Sequence, residues 1–457
     1  MYALRRLLYL PLSLFLLSLV CFALRQLAPG DAVQNQLPDA DSRLLTDDPA
    51  AYDALYQRTA AAYGYNLPVF YFTIRNGAMP DTLHRVVRPE EREMLRSLTL
   101  ASGNWAEVQE YYRALRGLAY PLPPRTVSVA MTATARRLLL QDDPETIRRR
   151  VFALDNSGPA KPLIHHLTQA FRLPRSALLG MNFSWHGTSN QYHRWLTGYL
   201  RGDFGRSNGD RRPVVDKVAP ALRWTALLNG LAIFLVYLVS IPLGLYLADK
   251  PGSRTDQVVT FLLFLLFGLP SFWIATLLTN FFTTPAFGMD FFPSMGFGDV
   301  PMNASWWETF RIRTGHLFLP VLCLAYPSFA YVTRHLRRSA KHELQQAYVK
   351  TARLKGLSVR QIRWRHVFRN ASFPIITMLG SLLPALLVGS VLIERIFNLP
   401  GMGQLLYNAA LGSDWPVVIA LVMLNGVLTA VGLLLADLTY AYADPRVRLG
   451  RTTTSGR

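Results

Sequence analysis

The chain has 457 residues, of which 51% are hydrophobic and 17% are charged, and its formal net charge is +19. Soluble domains carry about 25% charged residues, so this composition argues against an ordinary soluble protein. Positive charge suits either a nucleic acid or a membrane surface as partner, but the apolar excess favours a membrane protein that contacts lipid and no nucleic acid. The two cysteines exclude a disulfide-rich fold.

Six stretches approach or exceed the roughly 20 apolar residues that one helical crossing of a bilayer needs. They predict an all-α, polytopic membrane protein with six transmembrane helices. The fourth stretch is the shortest and contains Pro320 and Pro327, which spans tolerate when neighbouring helices satisfy the freed carbonyls. The stretches are residues 7–24, 224–248, 258–282, 317–332, 373–393 and 417–436.

The first stretch follows Arg5 and Arg6, a pattern that fits either a cleaved signal peptide or a retained span. The apolar run is long, and no clear small-x-small cleavage site follows it. The residues before Cys21 also lack the small residue that a lipoprotein site needs. We expect residues 1–27 to remain as an N-terminal segment and first transmembrane helix.

The Lys and Arg residues of the short loops set the expected orientation, because cytoplasmic loops are enriched in them. With the N-terminus inside, the basic residues of 250–254, 334–369 and 446–457 all lie in the cytoplasm. Both termini are then cytoplasmic, and residues 451–457 form a cytoplasmic tail. Residues 28–222 become a large extracytoplasmic region.

Within that region, Gly and Pro divide the chain into short helical pieces. Pro89 stands at a plausible first helical position, and Asn104 and Asp143 are predicted N-caps. The pattern predicts a small helical bundle over about residues 75–180. The strand-like residues 69–74 are too isolated to predict a sheet.

A basic segment, Thr351 to Asn370, contains no acidic residue and lies between two apolar stretches. Its apolar positions alternate with cations so that a helix to about Lys355, a break over residues 356–358 and a second helix from Val359 are predicted. These elements would form a knob that projects from the membrane. From composition alone, the cations are explained as well by a topology signal or by contact with anionic lipid.

Motifs for catalysis are scarce. The sequence contains no G-x-x-x-x-G-K-[ST] phosphate loop, no H-E-x-x-H pair and no C-x-x-C pair. Adjacent His165 and His166 point in divergent directions on a helix and match no ligand spacing. We therefore expect no enzyme activity, no catalytic residue, no metal site and no cofactor bound by this chain.

The span interiors are nearly free of the ionisable residues on which ion-coupled transporters depend. Glu394, Arg395 and Asp437 lie toward span ends, where local pairing or reaching to the interface explains them. Small residues and prolines within the spans either let helices pack closely or line and hinge a translocation path. The path hypothesis concerns Pro270, Ser271, Gly380, Ser381 and Gly389.

Several stretches resemble the permease subunits of ABC importers of the peptide and nickel class. The main one is YVKTARLKGLSVRQIRWRHVFRNASFP, residues 348–374. Others resemble further motifs of that family in the same order: LRQLAPGD, WLTGYLRGDFGRS, IPLGLYLADKPGSRTDQ with GLPSFW, ERIFNLPGMGQLLYNAA, DWPVV and YAYADPRVRLG. The resemblance covers residues 1–71 loosely and 191–450 closely.

The resemblance implies a type I importer fold, with a permease core of five transmembrane helices at residues 223–450. It also implies a cytoplasmic coupling helix at about 339–358 that seats in a cleft of a separate ATPase subunit. Ala352 would allow close seating and Gly356 would supply the turn, while the cations would meet acidic groups or helix ends of the partner. The implied ATPase-coupling residues are Lys350, Thr351, Ala352, Arg353, Lys355, Gly356 and Leu357.

The implied function is that of a permease subunit of an ATP-driven importer in the bacterial inner membrane, forming half of a path for peptides or related small solutes. The implied partners are a second homologous permease, two ATPase subunits that hold ATP and Mg, and an extracytoplasmic substrate-binding protein. Two other functions stay open: an ion-coupled secondary transporter, and a membrane-anchored extracytoplasmic scaffold or enzyme.

The sequence departs from the family's pattern after the first span, where ordinary permeases have a much shorter loop. Residues 72–190 or thereabouts are predicted to be an inserted helical module. Its expected use is to dock the binding protein, to contact another envelope component or to brace the outer face.

Overall fold

A computed structural model of the protein describes residues 2–37, 49–80, 82–121, 127–154, 158–172, 180–285, 288–293, 295–376, 378 and 391–443. The chain divides into two compact units. We call Met1–Ala28 with Asp203–Arg457 the membrane unit, and Pro29–Gly202 the module. Residues 203–222, which the sequence analysis placed in the extracytoplasmic region, thus cluster with the membrane unit.

The principal elements in chain order are α1 (Tyr2–Leu27), α2 (Pro49–Tyr63), β1 (Phe72–Asn76), α3 (Pro89–Ser102), α4 (Trp105–Ala119), α5 (Val129–Leu139), α6 (Pro144–Phe152), α7 (Lys161–Ala170), β2 (Met181–Trp185), α8 (Gln191–Leu200), α9 (Val214–Asp249), α10 (Arg254–Gly268), α11 (Ser271–Thr283), α12 (Trp306–Leu344), α13 (Ala347–Leu354), α14 (Val359–Gln361), a π-helical segment (Ile362–Val367), α15 (Phe368–Ala371), α16 (Met402–Leu411) and α17 (Trp415–Ala443).

The membrane-spanning helices agree with the predicted class of fold, a helical polytopic membrane protein. Among the described residues, α1, α9, α12 and α17 are long and apolar enough to cross a membrane, and the bent pair α10 and α11 makes a fifth crossing if it counts as one. The predicted span at residues 373–393 lies mostly outside the described residues.

The span predicted at residues 258–282 is broken into two helices, because the chain turns by 96° between α10 and α11. The turn falls at Leu269 and Pro270, both of which have extended backbone angles. Proline has no N–H with which to continue a helix, and it restricts the preceding residue to extended conformations. The chemistry of Pro270 therefore accounts for the position of the break.

Helices α9 and α12 pack against each other along much of their length and form the centre of the membrane unit. A Cβ atom on Gly244 of α9 would lie 3.1 Å from the carbonyl oxygen of Thr333 and from Cβ of Leu336. The absence of a side chain at Gly244 therefore permits the close approach of the two helices. The buried cluster continues from α12 through Ala340 to Val349 of α13.

The module is built around helices α3 to α7, whose inward side chains share one apolar core. Asn104 and Asp143 accept hydrogen bonds from the backbone N–H groups of Glu107 and Thr146, so both act as the predicted N-caps. His166 of α7 lies 2.9 Å from the carboxylate of Glu107. The helical bundle predicted for about residues 75–180 thus matches the described elements.

The all-α prediction misses a two-stranded sheet, formed in part by the strand-like stretch that is too isolated in the sequence to predict one. Strand β1 pairs antiparallel with β2, and Phe72 lies opposite Trp185 in the register. No local pattern indicates this pair, because the two strands are separated in sequence by the whole helical bundle. The ribbon brings together the chain entering the bundle and the chain leaving it.

Candidate functional site

The basic segment predicted from the sequence forms a helix, a turn and a second helix, residues 345–371, which we call the basic elbow. Helix α13 ends with Lys355 as its C-cap, and α14 begins after Ser358. Helix α14 continues through the π-helical segment into α15. The predicted break is confirmed, but the predicted start at residue 339 is wrong, because residues 339–344 are the last residues of α12.

Two local devices make the turn of the elbow. Gly356 has a φ angle of +77°, a left-handed conformation that glycine adopts without the strain a Cβ brings. The N–H of Leu357 then reaches back to the carbonyl of Ala352 at 3.3 Å, closing the C-terminus of α13. Ser358 and Gln361 exchange hydrogen bonds in a capping box that begins α14.

Helix α13 has one face toward the membrane unit and one face toward solvent. Val349 and Ala352 are 0% and 5% exposed and belong to the unit's apolar core. Leu354, by contrast, is 89% exposed. The side chains of Lys350, Thr351, Arg353 and Lys355 are also exposed.

This division corrects part of the predicted contact set. Ala352, expected to seat directly against an ATPase subunit, is buried in the chain's own core. Leu357 is partly buried and packs against the same core. Leu354 was not among the predicted contact residues, although its position one helical turn after Lys350 and Thr351 indicates that it lies on the same outward face.

Polar contacts fix the elbow to the long helices. Arg363, in the π-helical segment, makes an ion pair with Asp249 at the end of α9. The hydroxyl of Tyr348 donates to the Glu343 carboxylate at 2.5 Å and accepts from the Asn370 side-chain amide at 3.0 Å. Burial, and then the hydrogen bond to Glu343, raise the pKa of Tyr348 to about 12. The hydroxyl therefore stays protonated and joins α12 to α15.

A further polar contact ties the loop between α9 and α10 to α12. Asp256 is buried and accepts from Arg337 at 2.5 Å and from the N–H of Gly252 at 2.8 Å. The carboxylate thus bridges the loop and the last third of α12. Together with the Arg363 pair, it makes the ends of α9, α10 and α12 and the elbow one connected structure.

The candidate path residues fall into two groups. Pro270 and Ser271 lie at the bend, where Pro270 is the N-cap of α11 and Ser271 its first residue. The bend is held by the hydroxyl of Tyr326 on α12, which donates to the carbonyl of Leu269 at 2.7 Å. Gly380, Ser381 and Gly389 lie outside the described residues.

Glu394 is the centre of a buried polar network at the other end of the membrane unit. Its carboxylate accepts from the Thr225 hydroxyl at 2.8 Å and from the backbone N–H of Gln404 at 3.0 Å. The oxygen of the same hydroxyl accepts from the N–H of Met402 at 2.8 Å. Two N–H groups in the first turn of α16 are thereby satisfied, and Glu394 is paired both locally, with Gln404, and with the distant Thr225.

Glycines make room for this carboxylate. A Cβ atom on Gly401 would lie 2.3 Å from the carboxyl carbon of Glu394, and one on Gly403 would lie 2.5 Å from Cα of Val391. Neither position accepts a side chain without movement. Neighbouring Arg395 stacks over the ring of Tyr407 at 4.2 Å, so its cation is also held locally.

A second polar network joins the entry of α9 to the start of α17. Asp414 accepts from the hydroxyl of Ser207 at 2.5 Å and from the N–H of Asn208 at 2.9 Å. Lys217 lies 2.8 Å from the Ser207 oxygen and 2.9 Å from Asp210. Burial opposes ionisation of Asp210, but its hydrogen bonds from Lys217 and Ser207 prevail and lower its pKa.

Residues 205–209 read Gly-Arg-Ser-Asn-Gly, which matches the G-x-S-x-G pattern of serine hydrolases. The pattern marks a nucleophile only when the serine lies exposed on a turn from a strand into a helix. Ser207 is 0% exposed and is hydrogen-bonded to a carboxylate at the start of α17. The geometry therefore assigns this serine to the packing of the two helices.

The helices and the elbow define a class of protein, a helical membrane subunit with a rigid basic projection. Residues 240–449 match the family described as binding-protein-dependent transport system inner membrane component. The chain is 34% identical to the oligopeptide transport system permease protein AppB of Bacillus subtilis, over 56% of this chain and 79% of that one. It is 32% identical to the dipeptide transport system permease protein DppB of Escherichia coli, over 56% of this chain and 80% of that one.

A third relative is the inner membrane ABC transporter permease protein YejB of Escherichia coli O157:H7, at 34% identity over 56% of this chain and 71% of that one. The chain belongs to the family of binding-protein-dependent transport system inner membrane components. It is a permease subunit of an ATP-driven importer, and thus a transport subunit of an inner membrane rather than an enzyme. The matched residues 240–449 include the basic elbow and exclude the module.

Proposed function

We propose that the basic elbow seats against a separate ATPase subunit and transmits its movement to α9 and α12. The outward face of α13 supplies the contact through Lys350, Thr351, Arg353 and Leu354. Lys355 and Gly356 complete this surface at the turn. Ala352 and Leu357 act from the inner side, where they hold α13 on the membrane unit.

The observation that carries this proposal is the division of α13 into an exposed face and an anchored face. An exposed Leu354 among three cations is a surface that suits a partner with an apolar pocket and acidic groups. The opposite face is fixed to α9 and α12 by buried side chains and by the Arg363 and Tyr348 contacts. A push on the outward face would therefore move the long helices rather than bend the elbow.

The remaining parts of the assembly follow from family membership and from the sequence. We infer two ATPase subunits that bind ATP and Mg, a second homologous permease that completes the path, and an extracytoplasmic substrate-binding protein. The relatives named for oligopeptide and dipeptide transport support peptides or related small solutes as substrates. The Lys and Arg bias supports cytoplasmic termini, a cytoplasmic elbow and an extracytoplasmic module.

The bend between α10 and α11 supports a place for Pro270 and Ser271 on the translocation path. A helix broken within a span exposes backbone groups that the lipid cannot satisfy, so such breaks occur where protein or a water-filled cavity adjoins them. We keep Gly380, Ser381 and Gly389 as further path residues on the basis of their sequence alone. An ion-coupled transporter and a passive scaffold lack the support that the family match gives to an importer.

A site-specific cross-link tests the contact. The chain carrying Leu354→Cys is co-expressed with the ATPase subunits of its importer and labelled with a thiol-reactive photo-cross-linker. The matched control is Ile74→Cys, because Ile74 is an apolar residue of the module that is 63% exposed. The native Cys21 and Cys323 are both buried.

We expect an ATPase adduct from Leu354→Cys and none from Ile74→Cys. A Leu354→Asp variant that still assembles should lose the stimulation of ATPase activity by the binding protein. That loss would support the same contact by an independent measurement. An adduct of Leu354→Cys with lipid alone, in a complex that hydrolyses ATP, would refute the proposed coupling surface.

A further inference from the structure

A cleft of about 710 Å³ runs between α10 and α12 at the end of the membrane unit that bears the basic elbow. A smaller cavity of about 160 Å³ continues it toward the bend and shares Arg334 and Arg338 as lining residues. The two helices run antiparallel here, because the bend after α10 is bonded to Tyr326, which precedes Arg334 in α12. The cleft therefore extends along α12 from the bend toward the elbow.

One wall of the cleft is cationic. Arg334, Arg338 and Lys341 line it from α12, and all three are exposed. They follow the spacing that places residues on one face of a helix. The one acid in the lining, Asp256, is buried and already paired with Arg337. Within the described residues, the three exposed cations face no other carboxylate in the cleft.

The other wall is aromatic. Phe261 and Phe264 of α10 line the larger cleft and Phe267 lines the smaller cavity. Their side chains are 65%, 64% and 56% exposed. These rings lie on a helix that belongs to the bent pair α10 and α11, which is apolar and long enough to count as one membrane crossing.

The positions of the charges and the rings fit the dimensions of a lipid. Ala330 and Lys341, at the two ends of the lining of α12, are separated by about 17 Å along a helix with a rise of 1.5 Å per residue. That is about half of a hydrocarbon core roughly 30 Å thick. Lys341 thus lies at the elbow end of the cleft, while Phe267 lies at the end toward the bend.

We propose that this cleft binds one anionic phospholipid, with its phosphate at Arg334, Arg338 and Lys341 and an acyl chain against Phe264 and Phe267. Basic pockets between membrane helices are suited to acidic headgroups, and the arginine and lysine stems pack along the apolar wall. The bound lipid would neutralise like charges on α12 and pack against both helices close to Asp256 and Arg337. It would therefore stabilise the attachment of α10 to α12 beside the elbow.

The test uses the purified full-length chain in detergent and native mass spectrometry, with phosphatidylglycerol and phosphatidylcholine as competing probes. The variant Arg334→Gln, Arg338→Gln, Lys341→Gln removes the three cations. The matched control Arg360→Gln, Arg365→Gln, Arg369→Gln removes the same charge from exposed positions of the elbow. We expect the wild type and the control to retain phosphatidylglycerol in preference to phosphatidylcholine. In the first variant the affinity for phosphatidylglycerol should fall about a hundredfold, because each cation contributes about fivefold.

Equal losses in the two triple variants, or no loss in either, would overturn the proposal. Displacement of the lipid by inorganic phosphate at a matching concentration would show that the site takes free phosphate and not lipid. Loss of the lipid when the second permease subunit is co-purified would show that the cleft is a subunit interface. A Phe264→Ala variant provides a second measurement: unchanged retention would contradict a role of the aromatic wall.

Discussion

The ion pair between Arg363 and Asp249 is the most direct link between the basic elbow and α9. Neutralising Arg363 to Gln or Asp249 to Asn removes the pair while keeping side chains of similar shape. If the pair holds the elbow, each single change should loosen it. The double variant should then cost about as much as one single variant, because the second change has no attraction left to remove.

The burial of the two side chains sets the expected free-energy cost of removing one partner of the ion pair. Arg363 and Asp249 are 24% and 15% exposed, so they lie between an exposed pair and a buried one. Exposed pairs contribute about 0–1 kcal/mol, and breaking a buried pair by removing one partner costs about 3–5 kcal/mol. We expect about 1–3 kcal/mol, or roughly fivefold to 150-fold in the equilibrium for local opening.

Hydrogen exchange of the elbow amides in the purified full-length chain measures that opening. The amides of residues 359–371 should exchange faster by this factor in both single variants. Arg365→Gln is the control, because it removes a charge from an exposed position in the same π-helical segment. Additive effects of the two changes in the double variant would refute the argument that the elbow is held through this contact.

Three further outcomes are expected. Gly403→Ala places a Cβ 2.5 Å from the backbone of Val391, and it should lower the thermal unfolding midpoint in detergent at a cost of about 1–3 kcal/mol of stability. The control Gly230→Ala should leave that midpoint unchanged, because no described atom, apart from the neighbouring backbone of its own helix, lies within 4 Å of the added Cβ. Burial raises the pKa of Glu91 above its ordinary 4.5, outweighing the hydrogen bond from Tyr112 and the nearby arginines, so the folded module binds a proton that the unfolded chain releases. The stability of α3, measured by hydrogen exchange, should therefore fall as the pH rises from about 4.5 through the raised pKa of Glu91. The Glu91→Gln variant should show a flatter pH dependence. Tyr348→Phe removes the hydroxyl that joins α12 to α15 and should speed exchange in the elbow about fivefold, whereas unchanged exchange would show that apolar packing alone holds it.

The elbow was predictable from the sequence because its turn is made by local chemistry. Gly356 provides the left-handed residue, and Ser358 with Gln361 makes a capping box within four residues. Whether Ala352 faces the core of this chain or a partner was not predictable in the same way. In a short helix with small and cationic residues on several sides, the buried face is decided by the surfaces of α9 and α12, which no local pattern contains.

The polar networks of the membrane unit could not be predicted from local sequence patterns either, because their partners are distant along the chain. Thr225 meets Glu394 across 169 residues, and Ser207 meets Asp414 across 207 residues. Ser207, Glu394 and Asp414 stand in stretches that resemble family motifs and Thr225 does not, but no motif indicates the partner of its residue. The bend at Pro270 was predictable only in part. Proline predicts a break in the helix, but the 96° angle between α10 and α11 depends on packing against α12.

The ribbon explains how a bundle of this size can interrupt the chain. The backbone enters the bundle after Phe72 and returns at Trp185, its partner in the register, and the N–H of His186 bonds to the carbonyl of Tyr71 at 2.8 Å. The pairing continues beyond the ribbon, where the N–H groups of Gln191 and Tyr192 donate to the carbonyls of Pro68 and Val69.

An insertion whose two ends are adjacent imposes little strain on the chain that carries it, and its own core can fold around α3 to α7. The adjacent ends therefore fit the prediction that residues 72–190 or thereabouts are an inserted module. The bundle also contacts the chain that precedes it, through the ion pair of Arg116 on α4 with Asp53 on α2.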